Sequence, residues 1–477
     1  MANEHPFYLA GQWHRSADVL PVTNPWDGSV IASTWLASEL QVEEAIAAAV
    51  AAAGTMRSLP AYERAAILAK ASSVVSRRRT EIGRALAGEA GKPIRDALTE
   101  VDRAAMTFQV ASEEARRIGG DVIPLDLAPH GKGRVGIVRR FPIGPVAAIS
   151  PFNFPLNLSA HKLAPAVAAG NPIVLKPATK TPLSALFLAS ALEEAGLPTG
   201  ALSVLPMSRQ LGDRLVTDER FKLLTFTGSS AVGWAMKARA GKKKVILELG
   251  GNAGVIVDDS ADVEWAAKRV ATGGFAYAGQ SCISVQRVFV HERIYDGFVT
   301  QLVARVESLV VGDPLDGATD VGPMIDAGEV DRIESWVKEA VADGARVLTG
   351  GTRVSRSTYA PTVLDGVPEV AKVCAQEVFA PLVALYRLSD FDEAVSAVNR
   401  SRYGLQAGVF TNDLTHTLAA FERLEAGGVI VNDVPTWRID HMPYGGMKDS
   451  GVGREGPRYT IEEMTEPKLL VINSEIG

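Results

Sequence analysis

Cys282 has a residue type and a setting that favour covalent chemistry. It lies in the segment YAGQSCIS, between a predicted helix and a predicted strand, next to a glycine and polar residues. A loop position of this kind suits a thiol whose thiolate attacks a carbonyl carbon. A lone cysteine is more often a small buried apolar residue, and we interpret Cys374 in KVCAQEVFAP in that way. The segment alone therefore leaves both interpretations of Cys282 open.

Two further polar residues stand out because their neighbours are apolar or rigid. Glu248 lies in LELGGN at the end of a predicted central strand, where burial would raise its pKa and make it a base for activating water. A salt-bridged core glutamate is the structural alternative. Asn153, in PFNFP, follows a predicted strand between prolines and phenylalanines that would fix its amide. A fixed amide can stabilise an oxyanion, although asparagine is also common in turns.

The segment LLTFTGSSAVG places Gly228 at the end of a predicted strand and Ser229 at the start of a helix. Free backbone amides and the positive end of the helix dipole can hold a pyrophosphate at such a junction. The segment does not match the GxGxxG fingerprint, and many strand-to-helix turns contain glycine and serine. It indicates a phosphate site only in combination with other signals.

These segments lie on an alternation of short apolar runs and amphipathic stretches of helical length. Between Gly144 and Gly251 the alternation predicts a doubly wound parallel sheet, whose ligands bind at the carboxyl ends of the strands. From Gly251 to about Gly446 a second alternation predicts a second α/β domain. GRVGIVRRFP and KLLVINSE are typical of edge strands that pair between subunits. Helical periodicity predicts three helices nearer the start, over Val42 to Ala53, Tyr62 to Ala87 and Arg95 to Ile118.

Composition narrows the class of protein. The chain has 477 residues and a net charge of -6, and no apolar run reaches the roughly 18 to 20 residues that cross a bilayer. We therefore expect a cytoplasmic protein that binds neither nucleic acid nor membrane. Neither of its two cysteines has a cysteine or histidine at metal-ligand spacing, so we expect no disulfide framework and no metal site.

Taken together, the segments resemble those of the aldehyde dehydrogenase superfamily from about Phe7 to Val471. The shared motifs occur in the family's order and approximate spacing, and they are PFNFP, VLKPA, FTGSxxVG, LELGGN, GQSC, EVFAP and PYGGMKDSGVGRE. The resemblance implies an α/β fold with two doubly wound domains and a small β element for oligomerisation. It assigns NAD(P) binding to residues 1–119 and 143–250, catalysis to 251–446, and assembly into a homodimer or homotetramer to 120–142 and 460–477.

The resemblance also implies roles for single residues. Cys282 would be the nucleophile, Glu248 the general base, and Asn153 with the backbone amide of Cys282 the oxyanion hole. The implied reaction oxidises an aldehyde to its carboxylic acid through a thioester, with NAD or NADP accepting the hydride. The implied cofactor contacts are Lys176 at the adenosine ribose, Ser229 at the pyrophosphate beside Gly228, Glu377 at the nicotinamide ribose and Phe379 beside the nicotinamide.

One departure from the family pattern bears on the cofactor. Where NAD-preferring relatives usually carry a glutamate three residues after the VLKPA lysine, this chain has Thr179 followed by Lys180. The change removes a carboxylate that would repel a 2′-phosphate and adds a cation that would attract one. We therefore expect NADP to be accepted and slightly preferred over NAD. The alternative is that Lys180 points to solvent and NAD is still used.

A second departure bears on the substrate. Arg103, His161 and Arg438 fall at positions where many relatives line the substrate channel with apolar or aromatic side chains. Because buried guanidinium groups favour carboxylate, phosphonate or sulfonate partners, these residues predict a short anionic aldehyde. Succinic semialdehyde, phosphonoacetaldehyde and sulfo-aldehydes have this chemistry. The loop PTWRIDHMPYGG and the segment NLSAHK also resemble relatives that act on lactaldehyde, so a neutral hydroxyaldehyde is the alternative.

Two other classes of protein are compatible with such a fold. A CoA-acylating dehydrogenase keeps the nucleophile but typically lacks the general base, so the presence of Glu248 favours hydrolysis. A non-enzymatic binding protein would be expected to lose part of the catalytic set, and no member of that set is missing here.

Overall fold

The computed structural model describes residues 3–474, so the ends of the predicted segments at 1–2 and 475–477 lie outside the described residues. A 3₁₀ turn covers Pro129–Gly131, and a turn with left-handed backbone angles covers Ala276–Gly279. The α-helices of the described part are α1 Glu39–Ser58, α2 Ala61–Arg77, α3 Arg79–Ala90, α4 Ile94–Ala115, α5 Asn157–Ala169, α6 Leu183–Glu194, α7 Arg209–Thr217, α8 Ser230–Arg239, α9 Val263–Phe275, α10 Tyr295–Glu307, α11 Ala327–Ala342, α12 Lys372–Ala375, α13 Phe391–Asn399, α14 Leu414–Arg423 and α15 Pro457–Glu463. The strands are β1 Asn3–Glu4, β2 Phe7–Leu9, β3 Gln12–His14, β4 Val19–Thr23, β5 Val30–Trp35, β6 Gly120–Pro124, β7 Arg134–Pro142, β8 Val146–Ile149, β9 Ile173–Lys176, β10 Leu202–Val204, β11 Leu223–Thr227, β12 Lys244–Glu248, β13 Ala253–Val257, β14 Val285–His291, β15 Arg346–Thr349, β16 Thr362–Asp365, β17 Leu382–Leu388, β18 Tyr403–Gly404, β19 Gln406–Phe410, β20 Gly428–Val431, β21 Met447–Lys448, β22 Gly451–Val452 and β23 Thr465–Asn473.

The first sheet has the strand order β22-β12-β11-β8-β9-β10-β2-β3. Strands β8 to β12 run parallel, and they are short apolar runs such as VAAI and LLTFT that are buried along their length. Such runs are expected of a parallel sheet with helices on both faces. Because Asn153, Lys176, Gly228 and Glu248 follow or end these strands, the topology brings them to one edge of the sheet.

The second sheet has the order β15-β16-β17-β14-β13-β19-β20, and its strands are parallel except for β15. Cys282 lies three residues before β14, and Phe379 three residues before the neighbouring strand β17. The amino ends of these two strands therefore carry the predicted nucleophile and the predicted nicotinamide contact. The predicted α/β class with two wound units is confirmed.

A small antiparallel sheet, β23-β7-β6, contains the two segments predicted as edge strands. Its strand β23 is exposed along most of its length, with Leu469, Leu470, Val471 and Ile472 each 46 to 56% exposed. Exposed apolar strands of this length are unusual on a monomer surface.

The chain returns to the first sheet after completing the second. Strand β22 pairs antiparallel with β12, which places Gly451 opposite Glu248. This return brings the loop before β22 and the segment after it to the edge where the first sheet carries its polar residues.

The stretch from Tyr62 to Ala87 is helical as predicted, but it is divided into two helices, because the backbone leaves helical geometry at Arg78 (φ -92°, ψ 16°). The Arg78 side chain binds Glu81 and Ser190 at this break. None of the helices among residues 3–474 combines the length and hydropathy needed to cross a bilayer.

Candidate active site

A cavity of about 340 Å³ opens between the polar edge of the first sheet and the segments that lead into the second. Its wall includes Cys282, Glu248, Arg103 and Arg438, four of the six residues predicted for catalysis or substrate binding. Asn153 and His161 lie behind the wall and are 4% and 0% exposed. The fold therefore gathers residues from four distant parts of the chain around one space.

The turn that precedes Cys282 has an unusual backbone. Tyr277 and Ala278 have φ values of 50° and 53°, which residues with a Cβ rarely adopt. Gly279 follows with φ 67°, and a Cβ there would lie 2.1 Å from the carbonyl oxygen of Ala380. Only glycine fits this close approach to the loop before β17. Backbone strain held by the surrounding fold is frequent where a reactive side chain is aimed.

The Cys282 thiol is only partly exposed, and its Sγ lies 3.0 Å from the hydroxyl of Tyr444. Burial raises the pKa of the thiol to about 12, while the hydrogen bond with Tyr444 opposes that rise. A nucleophilic cysteine must react as the thiolate. Formation of that thiolate therefore depends on groups that stabilise negative charge at the sulfur.

Asn153 contacts the segment that leads to Cys282. Its Nδ2 donates a hydrogen bond to the carbonyl oxygen of Gln280 at 3.0 Å. Gln280 is fully buried, and its own Oε1 accepts from the backbone of Ile325 at 2.8 Å. One amide hydrogen of Asn153 is thereby committed to fixing the loop, and the second is available to an acceptor in the site.

Glu248 is 3% exposed, and neither of its carboxylate oxygens has a hydrogen-bond partner among the described residues. Burial, with a further contribution from nearby Glu455, raises its pKa well above the usual value. An unpaired buried carboxyl group is costly unless it is protonated or has a function. A buried carboxyl group with a raised pKa has the properties that a general base acting near neutral pH requires.

Glu455 and Lys162 form a buried ion pair beside Glu248. Lys162 donates to Glu455 Oε1 at 3.2 Å and to the hydroxyls of Thr225 and Thr227 at 3.1 and 2.7 Å. Burial alone would raise the pKa of Glu455, but Lys162 and the other nearby cations hold it below its usual range. The two carboxyl groups therefore differ in protonation, with Glu455 ionised and Glu248 retaining its proton to higher pH.

Arg438 is the cation on the cavity wall with the least direct carboxylate contact. Its side chain is 6% exposed, its Nη2 is 3.6 Å from Glu455 Oε2, and its buried Nε has no partner among the described residues. The guanidinium carbon lies 3.6 Å from the centroid of the Tyr444 ring. Each of the other three wall cations donates a hydrogen bond to a carboxylate, and these pairs are Lys92 with Glu100, Arg103 with Asp440 and Arg269 with Asp433.

The structure places Arg103 and His161 against the same carboxylate, that of Asp440. Arg103 reaches the wall, but its guanidinium makes a two-pronged contact with Asp440 at 3.0 and 2.9 Å, so its charge is already matched. His161 does not line the cavity, and its Nε2 lies 2.9 Å from Asp440 Oδ1. Burial, with the nearby charge of Arg438, lowers the pKa of His161 and favours its neutral form. Both residues therefore hold the loop that carries Arg438, rather than presenting free charge to the cavity.

The predicted adenosine and phosphate contacts share the edge of the first sheet. Lys176 ends β9 and passes over Gly212, where a Cβ would lie 2.8 Å from the lysine Cδ. Gly228 donates its backbone N–H to the carbonyl oxygen of Glu248 at 3.0 Å. Ser229 caps the amino end of α8 without a side-chain hydrogen bond to that helix. A hydroxyl and free helix amides at this position are suited to a pyrophosphate.

Thr179 and Lys180 lie in the exposed turn between β9 and α6. The Lys180 ammonium forms an ion pair with Asp326, the residue that caps α11. The lysine thus neither points freely to solvent nor has an uncommitted charge. An exposed pair of this kind contributes at most about 1 kcal/mol, so the ammonium can exchange its partner.

Glu377 and Phe379 lie beside the glycines that follow β12. Glu377 Oε1 accepts the backbone N–H of Gly251 at 3.0 Å, and burial raises the pKa of its carboxyl to about 7. A Cβ at Gly250 would lie 2.4 Å from Glu377 Oε2, so a larger residue there would displace this carboxyl group. Phe379, with φ 49°, packs edge-on against Phe152 at 5.8 Å between ring centroids. A carboxyl group and an aromatic ring beside the end of β12 are suited to the ribose and the nicotinamide of a dinucleotide.

Sequence reasoning missed four residues of the site, namely Lys162, Asp440, Tyr444 and Glu455. One signal was present in the chain. Lys162 follows His161 within the wholly buried helix α5, and adjacent polar side chains in such a helix indicate partners elsewhere. The other three lie within the loop and motif near the carboxyl end, where nothing local indicates which groups they meet.

Comparisons with known proteins agree with this geometry. A family model described as the aldehyde dehydrogenase family matches residues 13–470. The 3-sulfolactaldehyde dehydrogenase of Priestia aryabhattai is 47% identical, with 98% of each chain covered. A lactaldehyde dehydrogenase of Methanococcus aeolicus is 37% identical, covering 98% of this chain and 100% of the relative. The crystal structure of aldehyde dehydrogenase 21 from Physcomitrella patens, in complex with the reaction product succinate, has a TM-score of 0.98 at 50% identity, covering 100% of this chain and 99% of that one.

Proposed function

Because the chain belongs to the aldehyde dehydrogenase family, we propose that it oxidises a short aldehyde that carries a negative charge at its far end. The family membership establishes the coarser activity: the protein is an NAD(P)-dependent enzyme that oxidises an aldehyde to the acid. A semialdehyde, a phosphono-aldehyde or a sulfo-aldehyde has the chemistry that the cavity favours.

The position of Arg438 carries this proposal. Its guanidinium stacks on the ring of Tyr444, whose hydroxyl is 3.0 Å from Cys282 Sγ, so a single phenol separates the cation from the sulfur. A substrate whose carbonyl carbon is bonded to that sulfur can reach the guanidinium with a chain of a few bonds. Arg438 lines the cavity, so an anionic oxygen of the substrate can accept a hydrogen bond from its guanidinium.

Two relatives support the same chemistry. The substrate named for the Priestia enzyme carries a sulfonate, and the product named for the Physcomitrella enzyme, succinate, has a second carboxylate beside the one that oxidation produces. In both compounds the anionic group is separated from the reacting carbon by a short carbon chain.

The residues around the cavity account for each step of the reaction. The Cys282 thiolate bonds to the aldehyde carbon, and the free N–H of Asn153 with the Cys282 backbone amide stabilises the resulting oxyanion. Loss of a hydride from the same carbon would leave a thioester on Cys282, and NAD(P), held by Lys176, Ser229, Glu377 and Phe379, would supply the hydride acceptor. Glu248 then removes a proton from a water that attacks the thioester. The acid is released and the thiolate of Cys282 is restored.

Arg438→Gln should separate anionic from neutral substrates. We expect kcat/KM for succinic semialdehyde to fall about 100-fold, or ~2.7 kcal/mol, because a charge-assisted hydrogen bond to the carboxylate is lost. For butanal, which has the same carbon chain with a methyl group in place of the carboxylate, we expect a much smaller fall, because only the effect of Arg438 on the Cys282 thiolate is lost. Steady-state rates from the absorbance of the reduced nicotinamide measure both.

Arg269→Gln is the matched control for this prediction. Arg269 is a second guanidinium on the cavity wall, but Asp433 already binds it at 2.6 Å. Its replacement should leave the ratio of the two substrates' kcat/KM unchanged. An equal loss on succinic semialdehyde and butanal in Arg438→Gln would refute an anion site at Arg438.

The cofactor preference follows from Thr179 and Lys180. The turn carries no carboxylate that would repel a 2′-phosphate, and the Lys180 ammonium can exchange Asp326 for that phosphate. We expect kcat/KM to be modestly higher with NADP than with NAD, and Lys180→Ala to reduce the NADP value alone. A clear preference of the unmodified enzyme for NAD would contradict this prediction.

A neutral hydroxyaldehyde is the second candidate substrate. It is favoured by the similarity to the Methanococcus lactaldehyde dehydrogenase, which covers nearly the whole chain. With such a substrate Arg438 would act only through its contacts with Tyr444, Glu455 and His161, whose Nε2 lies 3.3 Å from Arg438 Nη2. The Arg438→Gln experiment distinguishes the two candidates, because only an anionic substrate makes the loss depend on charge.

The division of the chain and its assembly complete the proposal. We assign residues 1–119 and 143–250, which contribute every strand of the first sheet except β22, to cofactor binding, and residues 251–446 to catalysis. The small sheet within 120–142 and 460–477 is assigned to pairing between subunits in a dimer or tetramer. The exposed apolar side chains of β23 support this assignment, since they would be covered by a second copy.

A further inference from the structure

The contact between Tyr444 and Cys282 is the shortest polar contact of the sulfur among the described residues. The phenol oxygen lies 3.0 Å from Sγ, within the range of a strong hydrogen bond to sulfur. Nothing in the reaction outlined above uses this hydroxyl. A phenylalanine would fill nearly the same volume, so packing alone does not explain the Tyr444 hydroxyl.

Tyr444 is held firmly in place. Its side chain is buried and packs in a small apolar cluster with Ile283 and Leu405. Its backbone N–H donates to the Glu455 carbonyl oxygen at 3.0 Å, and its own carbonyl oxygen accepts from the Glu455 N–H at 2.6 Å. The phenol oxygen is therefore aimed at the sulfur by both the packing of the ring and the pairing of the backbone.

The charges around the sulfur make a donor necessary. The carboxyl groups of Glu248 and Glu377 lie near enough to disfavour a thiolate, and burial disfavours it further. The Arg438 guanidinium favours the thiolate, but it reaches the sulfur only across the Tyr444 ring. Tyr444 is thus the one described side chain that can donate a hydrogen bond directly to Sγ.

We propose that Tyr444 is a catalytic residue whose hydroxyl donates a hydrogen bond to the Cys282 thiolate. The inference rests on Cys282 being the nucleophile, as in the proposed function. Tyr444 keeps its own proton throughout, and the thiol proton leaves to solvent. Arg438 stacked on the ring draws electron density from the phenol and makes its O–H a better donor. The same bond stabilises the sulfur when it leaves as a thiolate during thioester hydrolysis.

The test measures thiol reactivity rather than turnover. The chain has two cysteines, so a Cys374→Ser background leaves Cys282 as the only thiol. In that background, the rate constant for alkylation by iodoacetamide is measured between pH 6.5 and 9.5, with and without Tyr444→Phe. We expect the rate constant to fall about threefold. Loss of the hydrogen bond should raise the pKa of the thiol by about one unit, or 1.36 kcal/mol, which lowers the thiolate fraction about tenfold below that pKa. The more basic thiolate reacts about threefold faster, so the observed rate constant falls by only about threefold.

Leu405→Val is the control for packing. It loosens the apolar cluster around the Tyr444 ring and retains the hydroxyl, so we expect the alkylation rate of the background to persist. Unchanged alkylation in Tyr444→Phe, or an equal fall in Leu405→Val, would overturn the inference. Failure of the proposed function looks different: a Cys282→Ser enzyme that still turned over would show that Cys282 is not the nucleophile, whatever its alkylation rate.

Discussion

Cys282→Ser should lower kcat for aldehyde oxidation by about 10⁵-fold or more, because loss of a covalent nucleophile removes the reaction path itself. A serine hydroxyl at this position has no base in contact with it, since the hydrogen-bond partner of Cys282 is the Tyr444 phenol rather than an imidazole. It therefore cannot replace the thiolate. Turnover is measured with saturating aldehyde and NADP, by the absorbance of the reduced nicotinamide.

Cys374→Ser is the matched control, because it makes the same chemical change elsewhere. Cys374 is 7% exposed and packs in the core of the second unit, which agrees with the prediction that it is a buried apolar residue. Its replacement should leave kcat within a small factor of the unmodified enzyme. Residual activity of Cys282→Ser near that of Cys374→Ser would exclude a thioester mechanism. Cofactor binding followed by protein fluorescence should be retained in both variants.

Glu248→Gln should stop the enzyme after the thioester has formed. We expect steady-state turnover to fall about 10³-fold, the scale of a lost general base, while one equivalent of reduced nicotinamide per active site still appears in a rapid burst. The amide has nearly the same shape as the carboxyl group, and neither oxygen of Glu248 has a partner among the described residues to lose. Rapid-mixing absorbance measures the burst, and intact-protein mass spectrometry detects the acylated Cys282.

The pH dependence of hydrolysis provides an internal control on the same residue. Because burial raises the pKa of Glu248, the ionised form needed to accept a proton from water becomes available only as the pH rises through that value. In the unmodified enzyme, the rate constant of thioester hydrolysis should therefore decrease as the pH falls. Glu248→Gln should lack this dependence. Absence of both the burst and the acylated cysteine would show that Glu248 acts before hydrolysis.

The sequence was informative where residues lie at the ends of regular elements. The runs VAAI, IVLK and LLTFT predict buried parallel strands, and Asn153, Lys176 and Ser229 follow from where those strands end. Parallel strands expose their carboxyl ends at one edge, so local patterns and sheet topology together bring these residues close to one another. Cys282 was also identified from a local pattern, because it lies just before the central strand β14 of the second sheet, at the amino end of that strand.

Contacts between distant segments could not be predicted in this way. Cys282 and Tyr444 are 162 residues apart in the chain, and Lys162 and Glu455 are 293 residues apart. No period or local motif relates such residues, because their proximity depends on the return of the chain to the first sheet at β22. The differing protonation of Glu248 and Glu455 depends on the same return of the chain, so the sequence alone could not predict it.

The charge of a side chain in the sequence does not predict whether it is free to bind a substrate, as the three predicted substrate residues show. Arg103 and Arg438 have the same side chain, but Asp440 matches the charge of Arg103 and also accepts from His161. The sequence RID contains that carboxylate two residues after Arg438, and its direction depends on the loop's tertiary contacts. A cation in sequence predicts an anion site only when its partners are known.

The central claim is that the cavity selects an aldehyde with an anionic end. Its most direct test compares kcat/KM of the unmodified enzyme for 3-sulfolactaldehyde and lactaldehyde, which differ only by the sulfonate, and for succinic semialdehyde and butanal. The buried guanidinium of Arg438 predicts a preference of about 100-fold or more for the anionic member of at least one pair. Equal or higher efficiency on the neutral member of both pairs would contradict it.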